Sequence, residues 1–196
     1  MEVNPRGIPR APFVESVEEY VGGEDADVTS TVKKLEETTA KYRYMEVSLQ
    51  QRRRALLGKI PDMKQTLQVV NYLQQRKLKA KQSGEEEENT LNTLFELNDT
   101  LFAEATIIET GEVGLWLGAN TMLMYPLPKA AGMLESKLTA AQKSYEETVE
   151  DLEWLREQIT VMEVNFARVH NWDVQRRRTK DPAAQQSDLS SGKDNS

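Results

Sequence analysis

The stretch TLNTLFELNDTLFAEATIIETGEVGLWLGANTMLMYPLP, residues 90–128, decides the fold. It holds most of the strand-forming sequence in a chain otherwise rich in Glu, Lys, Arg, Gln and Leu. Short apolar runs bounded by turn residues predict four strands: Thr93–Leu97, Leu101–Ile107, Val113–Leu117 and Thr121–Tyr125. Asn98-Asp99 and Ala119-Asn120 supply the turn inside each pair, and Thr110-Gly111 separates the pairs. Two small hairpins are marginal in water, and their edges leave amides and carbonyls unpaired. They also carry a heavy apolar load. Leu94, Phe95, Leu101, Phe102, Leu115, Trp116, Leu117, Gly118, Met122, Leu123 and Met124 are therefore assigned to an oligomer interface. The strands are expected to pair with other chains, which makes the protein an obligate oligomer.

Working outward, both flanks read as helix. From Val28 to about Gln82, Leu35, Tyr42, Leu49, Leu56, Met63 and Val70 recur at intervals of seven. That is one seam position of a coiled coil. The second position, Thr39, Glu46, Arg53, Ile60, Leu67 and Gln74, is apolar only at Ile60 and Leu67. Asp27 is the expected N-cap, and Pro61 is expected to bend or interrupt the helix. The second arm alternates by four and three through Leu134, Leu138, Ala141, Tyr145, Thr148, Leu152, Leu155, Ile159, Met162, Phe166 and Val169. Each arm spans roughly 70–80 Å at 1.5 Å per residue, so an antiparallel hairpin of helices is the simplest arrangement.

The expected fold class is mainly α with small β: a long antiparallel coiled coil with two β-hairpins between its helices. Its parts are a 28–82 helix, hairpins over 90–128 and a 129–175 helix. Residues 1–27 read as an extended, proline-rich tail with a short helix in FVESVEEYV, residues 13–21. Residues 176–196 are polar and expected to be disordered.

At the free tip, Leu35, Tyr42 and Met45 meet Ile159, Met162, Phe166, Val169 and Trp172. Two readings stand: an ordinary seam, or an exposed apolar surface for unfolded or flexible partners. The basic runs Arg52-Arg53-Arg54 and Arg176-Arg177-Arg178 also leave two readings. They are nuclear-import or acidic-surface contacts, or else a solvated helix face and a tail.

Of 196 residues, 38% are hydrophobic and 29% charged, which suits half-solvated helices better than a thick core. A net charge of −7 argues against nucleic acid as a partner. With no Cys and one His, His170, disulfides, thiolate chemistry and two-His metal sites within one chain are excluded. Gly111, Gly114 and Gly118 precede no Gly-Lys-Ser/Thr and read as strand punctuation. Glu85–Glu88 lacks calcium-loop spacing, and Asn98-Asp99-Thr100 reads as a turn. No catalytic residue, metal or cofactor is expected, and the chain is not expected to be an enzyme. No apolar run reaches membrane-span length, so no membrane partner is expected.

Four segments then resemble one family in order: RGIPRAPFVESVEEY (6–20), LLGKIPDMKQTLQVVNYL (56–73), LWLGANTMLMYPLPKAAGMLESKL (115–138) and NFARVHNWDVQRRR (165–178). The chain resembles the alpha-class subunits of prefoldin, most closely eukaryotic ones. The resemblance implies a heterohexamer with other alpha- and beta-class subunits. It implies an ATP-independent chaperone that captures unfolded actin and tubulin at coiled-coil tips and passes them to the cytosolic group II chaperonin. It implies a cytoplasmic location, with the nucleus open as well. The rival function is a structural tether or scaffold that dimerises through the coiled coil.

Overall fold

A computed structural model describes residues 2–23, 25–83 and 90–180. The elements in order are α1 (Val17–Val21), α2 (Val28–Ser83), β1 (Thr90–Asn98), β2 (Leu101–Ile108), β3 (Glu112–Gly118), β4 (Thr121–Pro126) and α3 (Leu127–Lys180). The chain divides into two compact units. One contains residues up to Arg54 together with those from Glu146 onward; the other spans Ala55–Tyr145.

In the first unit, α2 and α3 run antiparallel. Arg43 of α2 pairs with Glu163 of α3 at 2.9 Å, and Arg176 donates to the Ala26 carbonyl at 3.0 Å. The core joins Val28, Leu35 and Tyr42 to Leu155, Met162 and Val169, all apart by seven, as one seam position requires. Asp27 caps α2: its carboxylate accepts from the Thr29 amide at 3.0 Å. That bond is the main reason the Asp27 carboxyl sits below its ordinary range.

The ordered elements run further than the sequence patterns indicate in some places and less far in others. Helix α1 covers only Val17–Val21, because Val14 upstream is held by a side chain of α3 instead of entering a helical turn. It ends at Gly22, whose φ of 98° lets its amide reach the Glu18 carbonyl. Pro61 does not interrupt α2, which continues through it. Helix α3 runs on through Lys180, so residues 176–180 are helix and not disordered tail. Asp173 holds that turn, pairing with Arg176 at 2.9 Å and Arg177 at 2.7 Å. The rest of the predicted disordered tail, residues 181–196, and the Glu85–Glu88 run lie outside the described residues.

In the second unit, β1 pairs with β2 and β3 with β4, both antiparallel. The two hairpins form separate two-stranded sheets. Ala119 and Asn120 both take positive φ, 48° and 58°. That is the backbone of a two-residue turn matched to strand twist. Arg76 near the end of α2 fastens the first hairpin: it donates to the Thr90 carbonyl at 2.6 Å and lies 2.7 Å from the Glu109 carboxylate.

Candidate functional site

The register sorts the second hairpin into two faces. Val113 opposes Tyr125 and Leu115 opposes Leu123 on one side. On the other, Gly114 opposes Met124 and Trp116 opposes Met122. Val113, Leu115 and Tyr125 pack on a helix core of Val70, Leu127, Ala130 and Leu134. The opposite face is left to solvent, with Trp116 64% exposed. Gly114 belongs to that face for a steric reason: a Cβ there would lie 2.9 Å from the Met122 sulfur. The first hairpin sorts likewise. Phe95 opposes Ala103 and Leu91 opposes Ile107 on a largely apolar face, while Asn92 meets Thr106 and Leu94 meets Glu104 on the other. Phe95 is 62% exposed. Leu94, Leu97, Leu101, Phe102 and Ile108 are also exposed. So many large apolar side chains in solvent on two small hairpins mark a protein–protein contact.

The first unit carries a feature of another kind. Residues 2–15 form a strap along α3, in the same chain direction. Asn4 donates to the Asp151 carboxylate at 2.6 Å. The Ala11 amide donates to the Gln158 side chain at 2.9 Å. Asn165 works in both directions: its oxygen accepts from the Val14 amide at 2.9 Å and its nitrogen donates to the Pro12 carbonyl at 2.7 Å. Arg168 donates to the Glu15 carbonyl at 2.9 Å, and Tyr42 of α2 donates to the Pro9 carbonyl at 3.0 Å. Burial pushes the Tyr42 phenol up.

Asp151, Gln158 and Asn165 are spaced by seven, and all are buried. The spacing has a geometric basis. Seven helical residues rise about 10.5 Å, and three extended residues span about 10 Å. Ala11 and Val14 are three residues apart, as Gln158 and Asn165 are seven apart. Upstream, Gly7 at φ 86° closes a turn, and the Asn4 side chain accepts from the Arg6 and Ile8 amides at 3.1 and 2.7 Å. Arg6 adds ion pairs to Asp151 at 2.6 Å and Glu150 at 2.9 Å.

Removing the Asn165 amide would leave the Val14 amide and Pro12 carbonyl without partners. Each unpaired buried group costs about 1–3 kcal/mol. Asn165→Ala is therefore expected to speed hydrogen exchange at the Val14 amide by roughly 5- to 150-fold. Amides of α3 around Leu155 should keep their protection. Unchanged exchange at Val14 would contradict the strap contact.

The prefoldin subunit family profile matches residues 42–172, two thirds of the chain including both hairpins. The chain belongs to the prefoldin family. Prefoldin subunit 3 of Elsinoe fawcettii is 51% identical over 89% of this chain and 84% of its own length. Prefoldin subunit 3 of Homo sapiens is 44% identical over 89% and 85%, and that of Saccharomyces cerevisiae 39% over 90% and 89%. Within prefoldin, the chain thus resembles the eukaryotic subunit 3.

The prefoldin hairpins contain every residue assigned from sequence to an interface. Leu94, Phe95, Leu101, Phe102, Trp116, Leu117, Gly118, Met122, Leu123 and Met124 are exposed, and Leu115 is half-buried on the docked face. The tip residues divide differently. Leu35, Tyr42, Met162 and Val169 are buried in the seam. Met45, Ile159 and Trp172 are half-buried against it, and Phe166 is 37% exposed. Sequence reasoning missed the strap ladder and the outward Tyr44, Val47 and Val164. The available signal was a row of large polar residues, 151, 158 and 165, repeating with the heptad. Among the described residues no acidic or histidine cluster could hold a metal ion, and no helix is long and apolar enough to cross a membrane.

Proposed function

We propose that this chain is a subunit of a heterohexameric prefoldin chaperone, joined through its hairpins to other alpha- and beta-class subunits. The complex captures unfolded actin and tubulin at its helix ends without ATP and passes them to the cytosolic group II chaperonin. It works in the cytoplasm. The observation that carries this reading is the apolar hairpin surface: Phe95 and Trp116 stand mostly in solvent in a single chain of a family whose relatives are named as subunits. Weak contacts at several helix ends would hold a flexible client through effective concentration, and each would release easily.

The client surface is best tested at residues whose substitution spares the core. Met162 is 1% exposed, so a polar residue there would damage folding. Tyr44, Val164 and Phe166 are exposed. A Tyr44→Ser, Val164→Ser, Phe166→Ser variant, assembled in the complex, should protect denatured actin from aggregation several-fold less than the wild type. Equal protection by an intact complex would move the client surface elsewhere.

A further inference from the structure

From Pro9 to Glu15 the strap is held chiefly through its backbone, whereas Asn4 and Arg6 anchor its start by side chains on Asp151. Pro9, Ala11, Pro12, Val14 and Glu15 are all gripped at a main-chain amide or carbonyl by Tyr42, Gln158, Asn165 or Arg168. Only small side chains enter the groove from this stretch: Ala11 and Val14 are buried, whereas Phe13 is 54% exposed. Such a groove reads extension and spacing, with little regard for sequence. Any extended segment offering an amide every three residues and small or aliphatic side chains meets its chemistry.

We infer that the groove lined by Tyr42, Gln158, Asn165 and Arg168 is a binding site for extended polypeptide, occupied at rest by the chain's own N-terminal strap. Unfolded client competes with the strap for it. The inference rests on the chaperone reading for the identity of the competitor. The strap is a suitable resident. Pro5, Pro9 and Pro12 fix its backbone before it docks, which lowers the ordering cost. Its anchors are small, so the contact is exchangeable. The arrangement also explains how buried Asn165 and Gln158 avoid exposing an unsatisfied site beside the apolar seam of Leu155 and Met162. A tethered strap competes at an effective concentration of about 1 mM. If a free strap peptide binds with a Kd of about 0.1 mM, the tether weakens client binding about tenfold.

The test uses full-length chains in the assembled complex. The chain has no cysteine, and the Arg168 guanidinium lies 5.1 Å from the Phe13 ring. A Phe13→Cys, Arg168→Cys variant joined by a short bis-maleimide before assembly locks the strap. An Ala11→Glu, Val14→Glu variant drives it off by placing charge at buried positions, with the groove intact. The probes are denatured fluorescent actin and a labelled peptide of residues 2–21. The released form should bind actin about tenfold more tightly than wild type, and the locked form several-fold more weakly than the same double-cysteine variant left unlinked. The peptide should bind the released form and not the locked one. Equal actin affinity for locked and released forms overturns the competition. Failure of the peptide to bind the released form overturns the groove itself. If no form, wild type included, holds actin while the peptide still binds the released form alone, the chaperone reading falls and the groove stands.

Discussion

Leu155→Ala is expected to destabilise the helix pair by about 2–5 kcal/mol. Leu155 has no exposed surface, and it belongs to a core cluster built from three segments: α2 with Leu35 and Tyr42, α3 with Met162 and Val169, and the strap with Ala11. Two helices and the strap share that cluster, so the space left by the lost methyl groups closes only in part. Partial relaxation of that kind puts leucine truncations in the upper range. Urea unfolding followed by the fluorescence of Trp154 and Trp172 measures it. Phe166→Ala, at a residue 37% exposed, should cost clearly less. A loss below about 1 kcal/mol for Leu155→Ala would mean that the seam is looser than described.

A paired Phe95→Asp, Trp116→Asp substitution is expected to abolish assembly while leaving the chain folded. Both side chains stand in solvent in the single chain, 62% and 64% exposed. Surface substitutions away from packed features usually change stability by no more than about 0.5 kcal/mol. In an interface the same residues would be buried aromatic anchors, whose loss costs about 2 kcal/mol or more each, roughly thirtyfold in affinity. A buried carboxylate adds a desolvation penalty. Folding and assembly therefore separate in this variant. Circular dichroism should keep its helical signal, and co-purification with partner subunits should fail. Retained assembly would favour a tether that dimerises through its helices.

Much of this architecture is legible in the sequence because its periodicities are simple. Leu35 and Tyr42 recur by seven on one arm, and Leu155, Met162 and Val169 belong to one seven-spaced row on the other. The turns at Asn98-Asp99 and Ala119-Asn120 stand between the observed strands. Strand ends were less visible. Thr90–Asn92 belong to β1 because they pair with Thr106–Ile108, a long-range fact that local propensity does not carry. Residues 176–180 look like tail by composition, yet Asp173 draws Arg176 and Arg177 back onto the helix.

The strap is illegible for a different reason. Pro5, Gly7, Pro9 and Pro12 forbid regular structure locally, so residues 1–12 read as a loose tail. What orders them lies about 150 residues away, on α3. The groove side of the match, Asp151, Gln158 and Asn165, resembles ordinary solvated helix until the strap is seen against it. The same contacts bear on Leu35, Tyr42, Met162 and Val169: they share one closed core with Ala11, and the side chains left outside include Tyr44, Val47, Val164 and Phe166.

Native mass spectrometry of the wild-type complex shows whether the hairpins join this chain to other subunits. One copy or more of this chain is expected in a hexamer with several different subunits, lost when Phe95 and Trp116 carry aspartate. A homodimer or monomer whose mass is indifferent to that substitution would contradict it.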